Sequence, residues 1–315
     1  MKSLFVSCFL AIATLALWPA GSAMAQSCSA SATQLAFGPV DVLSGAPADS
    51  AGSLTISCSG QAGRTVRVCA NLGGPSVAGR RAMTSPSTSS SLLFDVFADS
   101  ARTQTWGSFA ADGSGVEIDL TLDASGNGSQ ARSMYGAIYG QQQTTGAGAY
   151  SATFQGGDSG IVYAYDSGLD CTVLAGSQSP ISFQATANVS PSCNLQTSAL
   201  DFGTVTLING AVDAQTTLSV QCTAGIPYTV ALNGGQANAT DPSARQMTSG
   251  SATIVYGLYQ DSMRSQGWGD AAGVNTLAGT GTAAYQPFPI YGRVPPQPTV
   301  PPGNYADTII VSVAF

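Results

Sequence analysis

Six cysteines carry most of the chemistry this sequence can offer. Cys28, Cys58, Cys69, Cys171, Cys193 and Cys222 form an even set with no Cys-x-x-Cys among them. In an oxidising compartment such a set reads as disulfide half-cystines rather than metal ligands or redox thiols. The chain has no histidine, so the commonest general base and metal ligand is missing and no Ser-His or Cys-His pair can form. Glu117 and Asp119 lie two apart on one strand face. They could act as an acid pair, but the same spacing marks the solvated side of an alternating strand. Glycines in Gly-Ser-Gly and Gly-Asn-Gly between 113 and 128 have no strand–loop–helix context and read as turns rather than phosphate loops. The expectation is a protein that is not an enzyme and needs no cofactor or metal.

Those cysteines need an exported chain, and the first 25 residues supply the signal for one. Lys2 precedes an apolar run from Leu4 to Trp18, and Ala23-Met24-Ala25 gives a small-x-small cleavage pattern, so the mature chain is expected to begin near Gln26. Cys8 lies inside the run and reads as an ordinary leader residue. Beyond the leader there are nine arginines and 17 acidic residues, with no lysine; this balance excludes nucleic acid as a partner. Charged residues make up 9% of the chain, well below the usual share of about 25%.

The elements that position the cysteines occur twice. Phe37-Gly38 follows Cys28 by nine residues, and Phe202-Gly203 follows Cys193 by nine. Met83-Thr84-Ser85 and Met247-Thr248-Ser249 each begin 25 residues after the next cysteine, Cys58 or Cys222. Asp99-Ser100-Ala101-Arg102 and Asp261-Ser262-Met263-Arg264 come next. Each arginine precedes a Trp-Gly by four residues, at Trp106 and Trp268. Ile138-Tyr139-Gly140 is matched to Ile290-Tyr291-Gly292, and Tyr150 to Tyr305. The period is too long for a solenoid unit. It implies two homologous domains, expected over 26–190 and 191–315.

Alternating runs such as Leu54–Cys58, Leu218–Cys222, Tyr228–Leu232 and Glu117–Leu122, separated by Gly, Asn, Asp, Ser and Pro clusters, predict short strands and a Greek-key β-sandwich in each half. The repeat pairs Cys28 with Cys58 and Cys193 with Cys222. Cys69 and Cys171 lack counterparts and are expected to pair with each other, each bridge adding roughly 2–4 kcal/mol. Ile181, Phe183, Ala185, Ala187 and Val189 share one face of a segment just ahead of Cys193. It reads as the last strand of domain one, equivalently as a donor strand supplied in cis. The last segment, Tyr305 to Phe315, reads as a strand with Ile309, Val311, Val313 and Phe315 on one face and an uncovered edge, a hazard unless something pairs with it.

The Cys-x8-Phe-Gly openings, the Asp-Ser-x-Arg…Trp-Gly stretches, Ile290-Tyr291-Gly292 and the closing Pro-Gly-Asn-Tyr-Ala-Asp-Thr-Ile-Ile-Val-Ser-Val-Ala-Phe together resemble the spore coat protein U domain family, most strongly over 193–315. The resemblance implies two immunoglobulin-like sandwiches, the C-terminal one lacking its final strand. It also implies assembly by strand addition, with a periplasmic pilus chaperone, an outer-membrane usher and an adjacent pilin subunit as partners. The Tyr305–Phe315 segment would border the acceptor groove. Only Gln26 and Ser27 precede Cys28 in the expected mature chain, short of a donor strand of about ten residues. The expectation is therefore a subunit at the pilus tip on the cell surface, an adhesin that attaches to an abiotic or host surface and starts biofilms.

Exposed apolar loop tips could bind such a surface by burying area. Leu92, Leu93 and Phe94, and Phe109 in the Trp106–Phe109 stretch, are the candidates. Trp106, like Tyr139, has a twin in the second half and so reads as core. The segment from Phe109 to Asn127 reads as an insertion peculiar to domain one. Two rival readings are a purely structural initiator subunit and a free secreted protein of this family without adhesive activity.

Overall fold

The computed structural model describes residues 26–74, 76–77, 79–157, 159–165 and 168–315. The leader expected over 1–25 lies outside the described residues. Every helix or strand assigned among them is a β-strand.

The first half contains β1 (Ser27–Ala32), β2 (Leu35–Val40), β3 (Ala48–Ser59), β4 (Thr65–Asn71), β5 (Ser76–Val77), β6 (Arg80–Thr84), β7 (Ser91–Phe97), β8 (Val116–Thr121), β9 (Asn127–Ile138), β10 (Gly148–Phe154), β11 (Gly160–Tyr165), β12 (Ser177–Pro180) and β13 (Phe183–Val189). One sheet runs β1-β3-β9-β7-β6-β10-β13-β2 with β5 attached to β6, and the other runs β12-β11-β4-β8. Alternation explains the layers. In β3, Leu54, Ile56 and Cys58 are buried while Ser57 faces out; in β13, Phe183, Ala185, Ala187 and Val189 point inward while Gln184 and Asn188 do not.

The second half contains β14 (Cys193–Thr197), β15 (Val212–Cys222), β16 (Pro227–Leu232), β17 (Arg245–Ser249), β18 (Ala252–Tyr259), β19 (Leu277–Thr280), β20 (Gln286–Val294) and β21 (Val311–Ala314). Its sheets run β14-β15-β20-β18-β17 and β19-β16-β21. The protein is thus two tandem immunoglobulin-like sandwiches. Each has its own core, one drawn from Cys28 to Val189 and the other from Leu218 to Val294. Disulfides join Cys28 to Cys58, Cys193 to Cys222 and Cys69 to Cys171.

The shared motifs turn out to be structural. Gly38 and Gly203 have φ of 69° and 75°, a left-handed conformation that residues with a β-carbon rarely adopt. The preceding Phe37 and Phe202 rings lie over Gly136 and Gly292, where a β-carbon would come within 2.7 and 2.8 Å of the ring. This corrects the alignment of the repeats. The twin of Tyr291-Gly292 is Tyr135-Gly136, not Tyr139-Gly140, because Tyr135 pairs with Phe97 as Tyr291 pairs with Tyr259.

The Asp99 carboxylate accepts hydrogen bonds from the Thr103 and Gln104 amides, and Asp261 accepts the same pair from Ser265 and Gln266. Those bonds, the Gln104 and Gln266 amides foremost, hold both carboxyls below the usual carboxylate range. Each turn delivers its tryptophan to the core, where Trp106 donates to the Ala70 carbonyl and Trp268 to that of Val230, both at 3.0 Å. The expected insertion over 109–127 is also corrected. β8 pairs with β4 as β19 pairs with β16, so most of the segment is the lengthened twin of a strand both domains possess.

Candidate functional site

One edge is built differently in the two sandwiches. In domain one, β13 lies antiparallel to β10 and parallel to β2, with Phe154 opposite Phe183, Ala152 opposite Ala185 and Tyr150 opposite Ala187. Upstream, β12 pairs with β11, and the Ile181 amide donates to the Ser159 carbonyl at 3.1 Å. The segment from 177 to 189 therefore closes both sheets in succession. Inside, it completes a row of rings. Phe37 meets Phe94 edge-on at 6.2 Å, Phe94 meets Phe154 at 6.2 Å, and Phe154 stacks on Phe183 at 4.3 Å. Ile181 and Ala185 are fully buried and Phe183, Ala187 and Val189 nearly so.

Domain two has the same walls around an open edge. Ala306 bridges to Thr248 as Ser151 does to Thr84. Tyr305, Asp307 and Ile309 thereby occupy the places of Tyr150, Ala152 and Phe154. The Ile310 amide then donates to the Asn233 side chain at 2.9 Å, and the chain crosses to the other sheet, where β21 pairs with β16 alone. Tyr305 to Phe315 is thus not the single continuous strand expected. Only Val311–Ala314 forms a ladder, because the segment changes sheets midway and has a neighbour on one side. The counterpart of β2, around Leu200 to Val205, forms no strand.

Side chains along this edge show the effect. Leu35, Met83 and Tyr150 are fully buried, whereas their twins Leu200, Met247 and Tyr305 are half-buried. Ile309, Val311 and Val313 are half-buried on the inward face, and Phe315 is 59% exposed. These half-buried apolar side chains form a strip that water does not favour.

Sequence reasoning missed the polar groups behind the strip. Arg245, twin of Arg81, is fully buried and donates to the carbonyls of Asn233, Pro242, Leu232 and Trp268. Arg81 has a carboxylate partner in Asp95 at 2.6 Å, but Gly257 stands at that position in domain two. Asp307 accepts from the Tyr256 hydroxyl at 2.6 Å and from the Gln236 amide at 2.8 Å. Burial, then the bond to Asp307, pushes the Tyr256 phenol up, so it remains a donor at neutral pH. The Met-Thr-Ser repeat marks the buried arginine, which stands two residues ahead of each methionine; that was the signal available.

The candidate adhesive residues need correction. Leu92 and Phe94 are fully buried in β7, between β6 and β9, and Phe94 belongs to the ring row. Leu93 is half-buried in the same strand. None is a loop tip, because central-strand alternation turns bulky apolar residues inward. Phe109 is half-buried over Gly115, and its amide donates to the Asn71 side chain at 2.8 Å. Glu117 and Asp119 both pair with Arg67, as the solvated side of β8. The exposed apolar tip lies elsewhere. The Ser190 amide bonds the Val40 carbonyl at 3.0 Å where the chain leaves for β14. At the opposite end, the loop after β11 carries Leu169 at 46% and Val173 at 64% exposure. Cys171 fastens this loop to β4, and Arg67 donates to the Leu169 carbonyl.

Comparison with known proteins agrees with the duplication. Spore Coat Protein U domain models match residues 14–156 and 180–312. The second match starts 13 residues before Cys193 and takes in β13. Protein U of Myxococcus xanthus is 32% identical over 145 residues, covering 41% of this chain and 80% of that protein. Among solved structures, a chain of the CsuC–CsuE chaperone–tip adhesion subunit pre-assembly complex, from archaic chaperone–usher Csu pili of Acinetobacter baumannii, superimposes with a TM-score of 0.53. The two are 18% identical, over 92% of this chain and 100% of that one. The CupB6 tip adhesin of Pseudomonas aeruginosa has a TM-score of 0.35 at 12% identity, covering 84% and 86% of the two chains. Two matched copies of one domain, spanning most of its length, place the chain in the spore coat protein U domain family.

Proposed function

We propose that this protein is the tip subunit of a chaperone–usher pilus, with domain two accepting a strand from the adjacent pilin subunit and domain one meeting the surface to which the cell attaches. The observation that carries the reading is the contrast between twin edges. Domain one is closed by β13, whereas the same edge of domain two is open and lined by half-buried apolar residues. Strand addition uses such an edge, with backbone bonds giving affinity and alternate side chains filling pockets. A subunit with one open and one closed edge suits a fibre end. On this reading a periplasmic chaperone covers the edge first, an outer-membrane usher hands the subunit on, and attachment seeds biofilm. The name of the Csu complex, a chaperone with a tip adhesion subunit, supports the same assignment.

The adhesive surface is assigned to the loop carrying Leu169 and Val173, held by the Cys69–Cys171 bridge. Immunogold labelling of domain one on piliated cells is expected to mark fibre ends. A Leu169→Asp/Val173→Asp variant should make fibres normally and attach several-fold less to hydrophobic plastic. Label along the shafts would overturn the tip assignment, and undiminished attachment would overturn the loop.

A further inference from the structure

The chain carries its own template for what the open edge accepts. This inference rests on the strand-accepting reading above and concerns which strand is taken. In domain one, the inward residues of the closing strand run large, small, small, branched: Phe183, Ala185, Ala187 and Val189, opposite Phe154, Ala152, Tyr150 and Gly148. In domain two these four positions are Ile309, Asp307, Tyr305 and Gly303. Phe202 meets Tyr256 edge-on at 6.1 Å, as Phe37 meets Phe94. Ile309 stands where Phe154 continues the row, a smaller side chain than its twin and half-buried where Phe154 is fully buried. Tyr305 and Gly303 repeat the types that face Ala187 and Val189.

Position 307 differs. Ala152 is buried against Ala185 with no polar group between them. Asp307 instead holds a carboxylate on the inner face, bonded to the Tyr256 hydroxyl and to the Gln236 and Thr308 amides. A strand laid over this edge takes that carboxylate out of water. A buried carboxylate is tolerated when its remaining lone pairs are met and costs heavily when an apolar group strips them. Directly opposite residues in an antiparallel pair have β-carbons about 5 Å apart, within reach of a short hydroxyl side chain.

We propose that the open edge selects an extended strand from a separate subunit with a large apolar residue opposite Ile309, small residues opposite Asp307 and Tyr305, and a branched one opposite Gly303. The residue opposite Asp307 carries a small hydroxyl, and the Asp307–Tyr256 pair is the specificity determinant.

Labelled peptides with the sequence of residues 177–190 test this by fluorescence anisotropy on the whole chain from Gln26. In register, peptide position 185 faces Asp307. The Ala185→Ser peptide should bind at least about tenfold tighter than the Ala185→Leu peptide, the scale on which a buried polar group rejects a mismatched partner. Replacing Asp307→Ala in the protein should erase or invert that preference. Tyr256→Phe, which keeps the ring but leaves Asp307 with one donor fewer, should enlarge it and serves if Asp307→Ala does not fold. Peptides that bind with the same Ser-over-Leu ratio to all three proteins would overturn the determinant while leaving strand acceptance standing. If no alternating apolar peptide of any pattern binds, strand acceptance falls as well. A concentration-dependent dimer that the Ser peptide does not dissociate would make a second copy the occupant and overturn the proposal.

Discussion

Truncating Phe183 to alanine is expected to destabilise domain one by about 3–5 kcal/mol, the range for deleting a buried aromatic side chain. Its ring stacks on Phe154 at 4.3 Å, at the end of the row that begins with Phe37. Removing it leaves a cavity beside Phe154 in the strand that pairs with both β10 and β2. Urea unfolding of the chain from Gln26, in a Trp268→Phe background so that Trp106 reports domain one, measures the loss. Truncating Ile309 in domain two, with Trp268 as reporter, should cost less, because that residue is already half-exposed. A loss under about 1 kcal/mol for Phe183→Ala, the level of an ordinary substitution, would mean that β13 packs loosely and that domain one does not depend on it.

The second large effect concerns the bridge without a twin. Cys69 and Cys171 enclose 102 residues of chain, against 30 and 29 for the other two bridges. In the chain-entropy picture a loop of about 100 residues stabilises by about 4.7 kcal/mol, and one of about 30 by between 3 and 4. Replacing both Cys69 and Cys171 by alanine should therefore destabilise domain one more than replacing Cys28 and Cys58, compared by non-reducing urea titrations. The bridge also fixes the loop of Leu169 and Val173 to β4, so amide exchange in 168–176 should quicken in the same variant. An equal or smaller loss than for Cys28 and Cys58 would show that strand pairing already restricts the long loop.

Much of this was legible in the sequence because the chain repeats. Two copies of the same cysteine, Phe-Gly, Met-Thr-Ser and Trp-Gly spacings fixed the domain count, and alternation in segments such as 54–58 and 181–189 placed strands and their inward faces. What failed depended on neighbours distant in sequence. Leu92 and Phe94 look like a surface patch until β6 and β9 are known to flank them. The tyrosine–glycine twin slipped by four residues because only strand pairing and the ring of Phe37 over Gly136, both distant in sequence, identify it. Arg245 is invisible as a core residue, since four backbone carbonyls from three separate loops and strands satisfy it. Asp307 lies within the alternation of the last segment, but its bond to Tyr256 requires both sheets to be in place.

Amide hydrogen exchange at the twin edges tests the central claim most directly. Among the described residues the backbone amides of Asp307 and Ile309 have no hydrogen-bond partner, whereas their twins Ala152 and Phe154 lie in the ladder with β13. In the free, monomeric chain the two domain-two amides should exchange at near-solvent rates while the twins are protected to the level of a core strand. Adding the Ala185→Ser peptide should slow both. Protection of Asp307 and Ile309 equal to that of Ala152 and Phe154 in the free chain would mean that the edge is already closed, and would contradict the account.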